Sequence, residues 1–190
     1  MYKIFNMIDK DRFNQQEEIQ ERMNNMTYCR KLKLKIEECD PTFEAICLNN
    51  KAEMLKLIRK FYADDIEIYQ SCFAIFTDGH HYTLGYAKIG QGTQTGFETD
   101  PLIIAKIATD VLASSVLIVH NHVDDDLTIT DEEVEMTTRI RNTLNAMDII
   151  LWDHIIITKN KITSFYAQED PKYKGIIENQ YAKQGIYDMH

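Results

Sequence analysis

An apolar run, Ala113-Ser-Ser-Val-Leu-Ile-Val119, ends on His120-Asn121-His122 and is followed at once by the acidic turn Asp124-Asp-Asp126. The core of this run reads as a short buried strand, residues 116–120, with the histidines at its end. Successive side chains on a strand point to opposite faces, so His120 and His122 share one face and Asn121 looks away. Both imidazoles can therefore converge on one ion. Glu133, eleven positions after His122, can supply an oxygen ligand. Two histidines and one carboxylate leave a tetrahedral position open, the arrangement of catalytic rather than structural zinc.

The remaining pattern indicates what surrounds that strand. Residues 51–62 place Met54, Leu55, Ile58 and Phe61 on one face of an amphipathic helix opened by Asn49 or Asn50. Residues 66–77 have strand character, and Asp78-Gly79 reads as a hairpin turn into a strand over 82–89. Gly90-Gln-Gly-Thr-Gln-Thr-Gly96 lacks the spacing of a phosphate-binding loop and reads as a flexible loop. Asp100-Pro101 is an N-cap with proline at N1 and opens a helix to 112. A further helix is expected over 131–147, and two closing strands over 149–158 and 161–166. Upstream, Phe13, Ile19, Met23 and Met26 mark a surface helix, followed by short strands at 32–36 and 43–48. A polar tail after 166 has room for a helix near 173–183. Mixed strands and helices of this kind imply an α/β sandwich around one sheet.

Composition narrows the function classes. At 190 residues the chain suits one domain with an appendage, and 44% hydrophobic with 27% charged residues is the balance of a soluble globular protein. Thirty acidic against 21 basic residues give a net charge of −9. Nucleic acid is held mainly by Lys and Arg on phosphates, so a general nucleic-acid binder is disfavoured. Lys31, Lys33 and Lys35 alternate along one strand face, the pattern of a solvated or edge-protecting strand. No apolar stretch approaches the ~20 residues that span a bilayer, and the first nine residues turn acidic too soon for a secretory signal. Cys29, Cys39, Cys47 and Cys72 have no CxxC spacing. Thiols in a reducing cytoplasm are expected.

Three spaced segments carry a family resemblance: Ala113 to His122, then Thr130-Asp-Glu-Glu-Val-Glu-Met-Thr137, then Trp152-Asp-His-Ile-Ile-Ile-Thr158. Together they resemble the RadC-type JAB domain, a bacterial branch of the JAMM/MPN metallopeptidase superfamily, over about residues 50–166. The resemblance implies a JAB/MPN-like (cytidine-deaminase-like) sandwich, with a mixed, mostly antiparallel sheet flanked by helices. Residues 1–49 would form a family-specific extension and 167–190 a tail. It also implies a Zn2+ site and hydrolysis of a peptide or isopeptide bond in a protein substrate. His120 and His122 match the histidine ligands, Glu133 stands at the Asp ligand position and Thr130 at the Ser that assists the oxyanion. Gln70 falls where an upstream Glu serves as general base, and Val123-Asp-Asp125 replaces the family's Pro-Ser-Gly.

Glutamine has no ionisable oxygen near neutral pH and cannot take a proton. Loss of a general base typically costs ~10²–10⁴-fold in rate. Glu67, Asp124 and Asp125 are candidate substitutes for the base, and Asp131 and Asp126 for the Glu133 ligand. Thr130-x-x-Glu133 also spells a helix capping box, and His154 reads as a core hydrogen-bonding residue on a strand. The sequence thus leaves three functions open: a zinc hydrolase with impaired catalysis, a catalytically silent binding or scaffolding module, and a DNA-repair-associated protein.

Overall fold

The computed structural model of the protein describes residues 43–168, 170, 172–173 and 175–177. The expected helix over 11–27, the strand at 32–36, the alternating lysines, Cys29 and Cys39 lie outside the described residues. A five-stranded sheet organises the rest, in the order β2-β1-β3-β4-β5. Its strands are β1 (Ser71–Thr77), β2 (Thr83–Gln91), β3 (Ser115–Asn121), β4 (Ile150–Ile157) and β5 (Ile162–Ser164). β3 and β4 run parallel; the other neighbours are antiparallel. Three helices flank the sheet: α1 (Lys51–Phe61), α2 (Pro101–Asp110) and α3 (Asp131–Asn145). The fold is the mixed α/β sandwich that the sequence implies.

β3 is the central strand, and every residue of it is buried. Its alternate side chains feed two separate cores. Val116 and Ile118 join Cys72, Ala74 and Phe76 of β1 against Ile104, Ala105 and Ala108 of α2 and Ile140 and Leu144 of α3. Leu117 and Val119 join Phe73 and Ile75 against Met54, Leu57 and Ile58 of α1, together with Trp152. Each helix begins at a side-chain cap. Asn50 accepts from the Glu53 N–H, Asp100 from Leu102 N–H ahead of Pro101, and Thr130 from Glu133 N–H.

Several expectations shift. Residues 43–48 make no regular strand; Cys47 forms an isolated bridge with Tyr82. β1 starts at Ser71 rather than at 66, because the preceding segment turns and Asn121 Nδ2 takes the Ile66 and Tyr69 carbonyls at 2.9 Å each. The β1–β2 connection is wider than a two-residue turn: Asp78 Oδ1 accepts from the His80 and Tyr82 N–H groups and His81 sits at φ 69°. The glycine segment is tied down, with Gln70 N–H donating to Thr93 O and Gly92 N–H to Gln70 O. The described part of the tail forms turns and bends, and the rest of the helix expected near 173–183 lies outside the described residues. Among the described residues no helix is long and apolar enough to cross a membrane, and Cys47 and Cys72 are thiols.

Because β3 is covered on both sides, truncation on either face should be costly. Leu117→Ala and Ile118→Ala are each expected to destabilise the fold by about 2–5 kcal/mol, read from urea unfolding midpoints at constant slope. A cost well under 1 kcal/mol at either position would contradict burial on both faces.

Candidate metal centre

His120 is the penultimate residue of the buried strand β3, and His122 follows the end of the strand on the side facing α2 and α3. Asn121 points the other way, as strand alternation requires. Its Oδ1 accepts from Ser71 N–H at 2.8 Å while its Nδ2 holds the two carbonyls already described. Opposite the histidines lies the first turn of α3. Glu133 Oε1 is 2.7 Å from His120 Nε2 and 2.6 Å from His122 Nε2, and the two Nε2 atoms are 3.1 Å apart. These three atoms form the one group of metal-capable donors found among the described residues. All three side chains are buried.

The capping box is present as well. Glu133 Oε2 accepts from Thr130 N–H at 2.7 Å, and Thr130 Oγ1 accepts from Glu133 N–H at 3.2 Å. Cap and ligand are therefore not alternatives: one carboxylate oxygen starts the helix and the other faces the imidazoles.

Hydrogen bonding fixes which ring nitrogens carry protons. His122 Nδ1 donates to Asp126 O at 2.8 Å, so the neutral ring leaves a lone pair on Nε2. His120 Nδ1 is 2.7 Å from His154 Nε2, and His154 Nδ1 is 2.6 Å from Thr137 Oγ1. The Thr137 hydroxyl proton goes to Glu133 O at 2.6 Å, so toward His154 that oxygen accepts. His154 then carries Nδ1–H, its Nε2 accepts from His120 Nδ1–H, and His120 Nε2 also presents a lone pair. Two lone pairs and a carboxylate oxygen thus meet within hydrogen-bond distance with no donor among them. With both rings neutral the three atoms repel, and a positive charge relieves this, either a proton on His122 Nε2 donating to Glu133 or a bound cation.

The electrostatics describe a site where a proton on His122 and a cation would compete. Burial lowers the pKa of His120 and of His154, keeping both neutral. For His122 burial also pulls downward, but the hydrogen bond and charge of Glu133 outweigh it and the net shift is upward. Burial pushes Glu133 upward, yet His120 and His122 hold its carboxyl well below the usual range. The set fits a divalent cation. Two imidazoles and one carboxylate suit zinc, and their spacing is within several tenths of an ångström of the roughly 3.3 Å between ligands of a tetrahedral ion.

The group opens into a cleft of about 1030 Å³ whose lining includes Gln70, Phe97, His122, Asp124, Thr130, Glu132, Glu133 and Arg139. Phe97 packs its ring 5.2 Å from that of His120. The tight return that seats it needs glycine, because a Cβ at Gly92 would come within 2.0 Å of Gly96 O and one at Gly90 within 2.7 Å of Glu98 O.

Residues 48–171 match the family described as RadC-like JAB domain, which is more than half of the chain. The chain belongs to that family. Among similar proteins are a UPF0758 protein of Fusobacterium nucleatum, 29% identical over 126 residues (66% of this chain, 53% of the relative), and one of Ruegeria pomeroyi, 37% identical over 93 residues (49% of this chain, 42% of the relative). The chain spans about half the length of the curated relatives it matches.

Within this JAB domain, Gln70 and Thr130 line the same cleft as His122 and Glu133. Gln70 Nε2 donates to Gln94 O at 3.4 Å. The alternative ligands stand apart: Asp131 is exposed and paired with Lys172, and Asp126 Oδ1 caps Thr128. Of the substitute bases, Glu67 pairs with Lys159 at 2.9 Å and Asp125 accepts from Thr158 at 2.6 Å; Asp124 reaches the cleft. Sequence reasoning assigned His154 a core hydrogen bond but not its partner, and passed over Thr137, Phe97 and the anchoring role of Asn121. The His154–His120 contact needs a strand register that the sequence does not print.

The shared carboxylate makes a separable pair of substitutions. Thr130→Ala should cost about 1 kcal/mol of stability through the lost cap while leaving the three donor atoms in place. Glu133→Gln keeps an oxygen for the cap but loses the charge, so it should keep most of the stability and lose cation binding. Thermal unfolding with and without zinc measures both; equal zinc stabilisation of wild type and Glu133→Gln would contradict the assignment.

Proposed function

We propose that this JAB domain holds one zinc ion through His120 Nε2, His122 Nε2 and Glu133 Oε1 and binds a peptide or isopeptide-linked segment in the adjoining cleft, with hydrolysis slowed by Gln70. The observation that carries the reading is the meeting of His120 Nε2, His122 Nε2 and Glu133 Oε1, with the other nitrogen of each ring hydrogen-bonded outside the group. Such an ion supplies a Lewis acid that polarises a carbonyl and lowers the pKa of water in the cleft. The chain's own residues do the rest. Thr130 Oγ1 accepts from Glu133 N–H and can direct its proton to an oxyanion. Gln70 can hold a water or a substrate amide through its own amide but cannot accept a proton. Phe97 shields one side of His120 from water.

The walls bear on the substrate. Glu98, Asp124 and Glu132 line the cleft, against Arg139 as the basic residue there. A polyanion would be repelled, so the reading favours a peptide over nucleic acid and places the family's DNA-repair association third. Gln70 favours the second reading, a zinc-holding module that binds a protein partner without cleaving it.

Protein purified without added metal should contain close to one zinc per chain by elemental analysis, and His122→Ala should contain none. Gln70→Glu should raise peptide or isopeptide hydrolysis by about 10²–10⁴-fold. A Gln70→Glu protein that holds zinc yet gains no cleavage across a panel of such conjugates would leave the binding module.

Proton competition gives the pH profile its sign. Protonating His122 removes its Nε2 lone pair, and its pKa is raised. Zinc affinity should therefore be full at alkaline pH and fall progressively as pH drops through that raised value. Isothermal titration across pH 5.5–8.5, a window set around the ordinary histidine range of about 6.5, measures this; affinity that rises on acidification would overturn the ligand role.

A further inference from the structure

We propose that Thr137 and His154 are positioning residues for the metal centre: their hydrogen bonds lock His120 in the Nδ1–H tautomer and so determine how tightly the site holds zinc. The inference rests on the zinc reading above but concerns residues outside the donor set.

The side chains form a closed path. Thr137 lies one helical turn after Glu133 on α3 and bonds back to the Glu133 carbonyl, so it touches one ligand residue directly. Through His154 it reaches a second, His120, with steps of 2.6 Å and 2.7 Å. His154 is fully buried, as are Thr137 and His120, and Phe165 stacks on the His154 ring at 4.7 Å and 7°. Burial and stacking leave the ring no water in place of its partners.

The direction of the chain follows from one oxygen. Thr137 has a single proton. If it pointed at His154, Thr137 Oγ1 and Glu133 O would face each other at 2.6 Å with nothing between them, which is repulsive. With the proton on the Glu133 side, each later step is forced: His154 donates from Nδ1 and accepts at Nε2, and His120 donates from Nδ1. The lone pair then emerges at His120 Nε2, toward Glu133 and His122. Reversing the chain would put a proton on that atom and block it as a ligand. Chains of buried hydrogen bonds reinforce one another, and partners of this kind typically change metal affinity by roughly 10–100-fold.

The register of β4 makes the contact possible. Val116 pairs with Leu151 but Leu117 pairs with Asp153, so Trp152 is an extra residue. Without that bulge His154 would pair with Val119 and face the α1 side, since a one-residue slip exchanges the two faces.

The test compares wild type, Thr137→Val and Thr137→Ser. Zinc affinity is read by competition with a chromophoric chelator, and ring tautomers by long-range 1H–15N imidazole spectra. Thr137→Val keeps the shape and removes the hydroxyl, so zinc affinity should fall roughly 10–100-fold with the Nε2–H form appearing on His154. Thr137→Ser should restore both. Zinc-loaded wild type supplies a measurement that needs no variant: His154 must carry its proton on Nδ1. An Nε2–H His154 in wild type, or a Thr137→Val protein that binds zinc as tightly as wild type, would overturn the inference alone. Wild type that takes up no zinc would overturn the site reading and this inference with it.

Discussion

The carboxylate of Glu133 joins two structural problems that are usually solved separately. One oxygen satisfies an amide at the start of α3, where the helix dipole favours negative charge; the other faces two imidazole lone pairs. Beginning the helix and completing the donor set are consequently the same event. The cap is worth about 1 kcal/mol, too little to hold three mutually repelling acceptors together. The two cores packed on the faces of β3 must do that, because they fix the end of the strand and the start of the helix before any ion is considered. The group is thus preorganised by burial, in the arrangement that the proposed zinc site requires.

Face parity decides which side chains can contribute. β3 contributes by simple alternation: Ile118 and His120 on the α2–α3 side, Leu117 and Val119 on the other. β4 contributes Leu151 to the α2–α3 side; the extra residue, Trp152, then fills the α1-side core and shifts the phase so that His154, not Asp153, returns to the α2–α3 side. Trp152 thereby has two effects, supplying bulk to one core and turning His154 into the other.

How much of this was legible in the sequence follows from the same distinction. Local signals were sufficient for β3, for the caps at Asn50, Asp100 and Thr130, and for the spacing of His120, His122 and Glu133, because each depends on residues close in the chain. The sequence posed cap and ligand as rivals at Glu133 only because a letter does not show that a carboxylate has two oxygens facing different ways. Non-local contacts were not legible. The strand expected from residue 66 begins only at Ser71 because Asn121, 55 positions from Ile66, takes the Ile66 carbonyl. The alternating pattern at 43–48 yields one bridge, since Ile46 and Leu48 pair only with the turn around His81 and Thr83. The link from His154 to His120 depends on a bulge that periodicity in β4 cannot reveal, as that strand is apolar on both faces.

The departure at Gln70 is chemical rather than geometric. Its segment is anchored from both sides: Asn121 holds Tyr69 O and Ser71 N–H, and the Gln70 backbone bonds with Gly92 and Thr93. A side chain at position 70 is therefore presented to the cleft from a fixed backbone whatever its identity. Glutamine and glutamate have nearly the same reach, and they differ in whether an oxygen can take a proton at neutral pH. Here the backbone around position 70 is held by four hydrogen bonds, two from the Asn121 side chain and two from the backbone of Gly92 and Thr93, so where the residue sits does not depend on whether its side chain can take a proton.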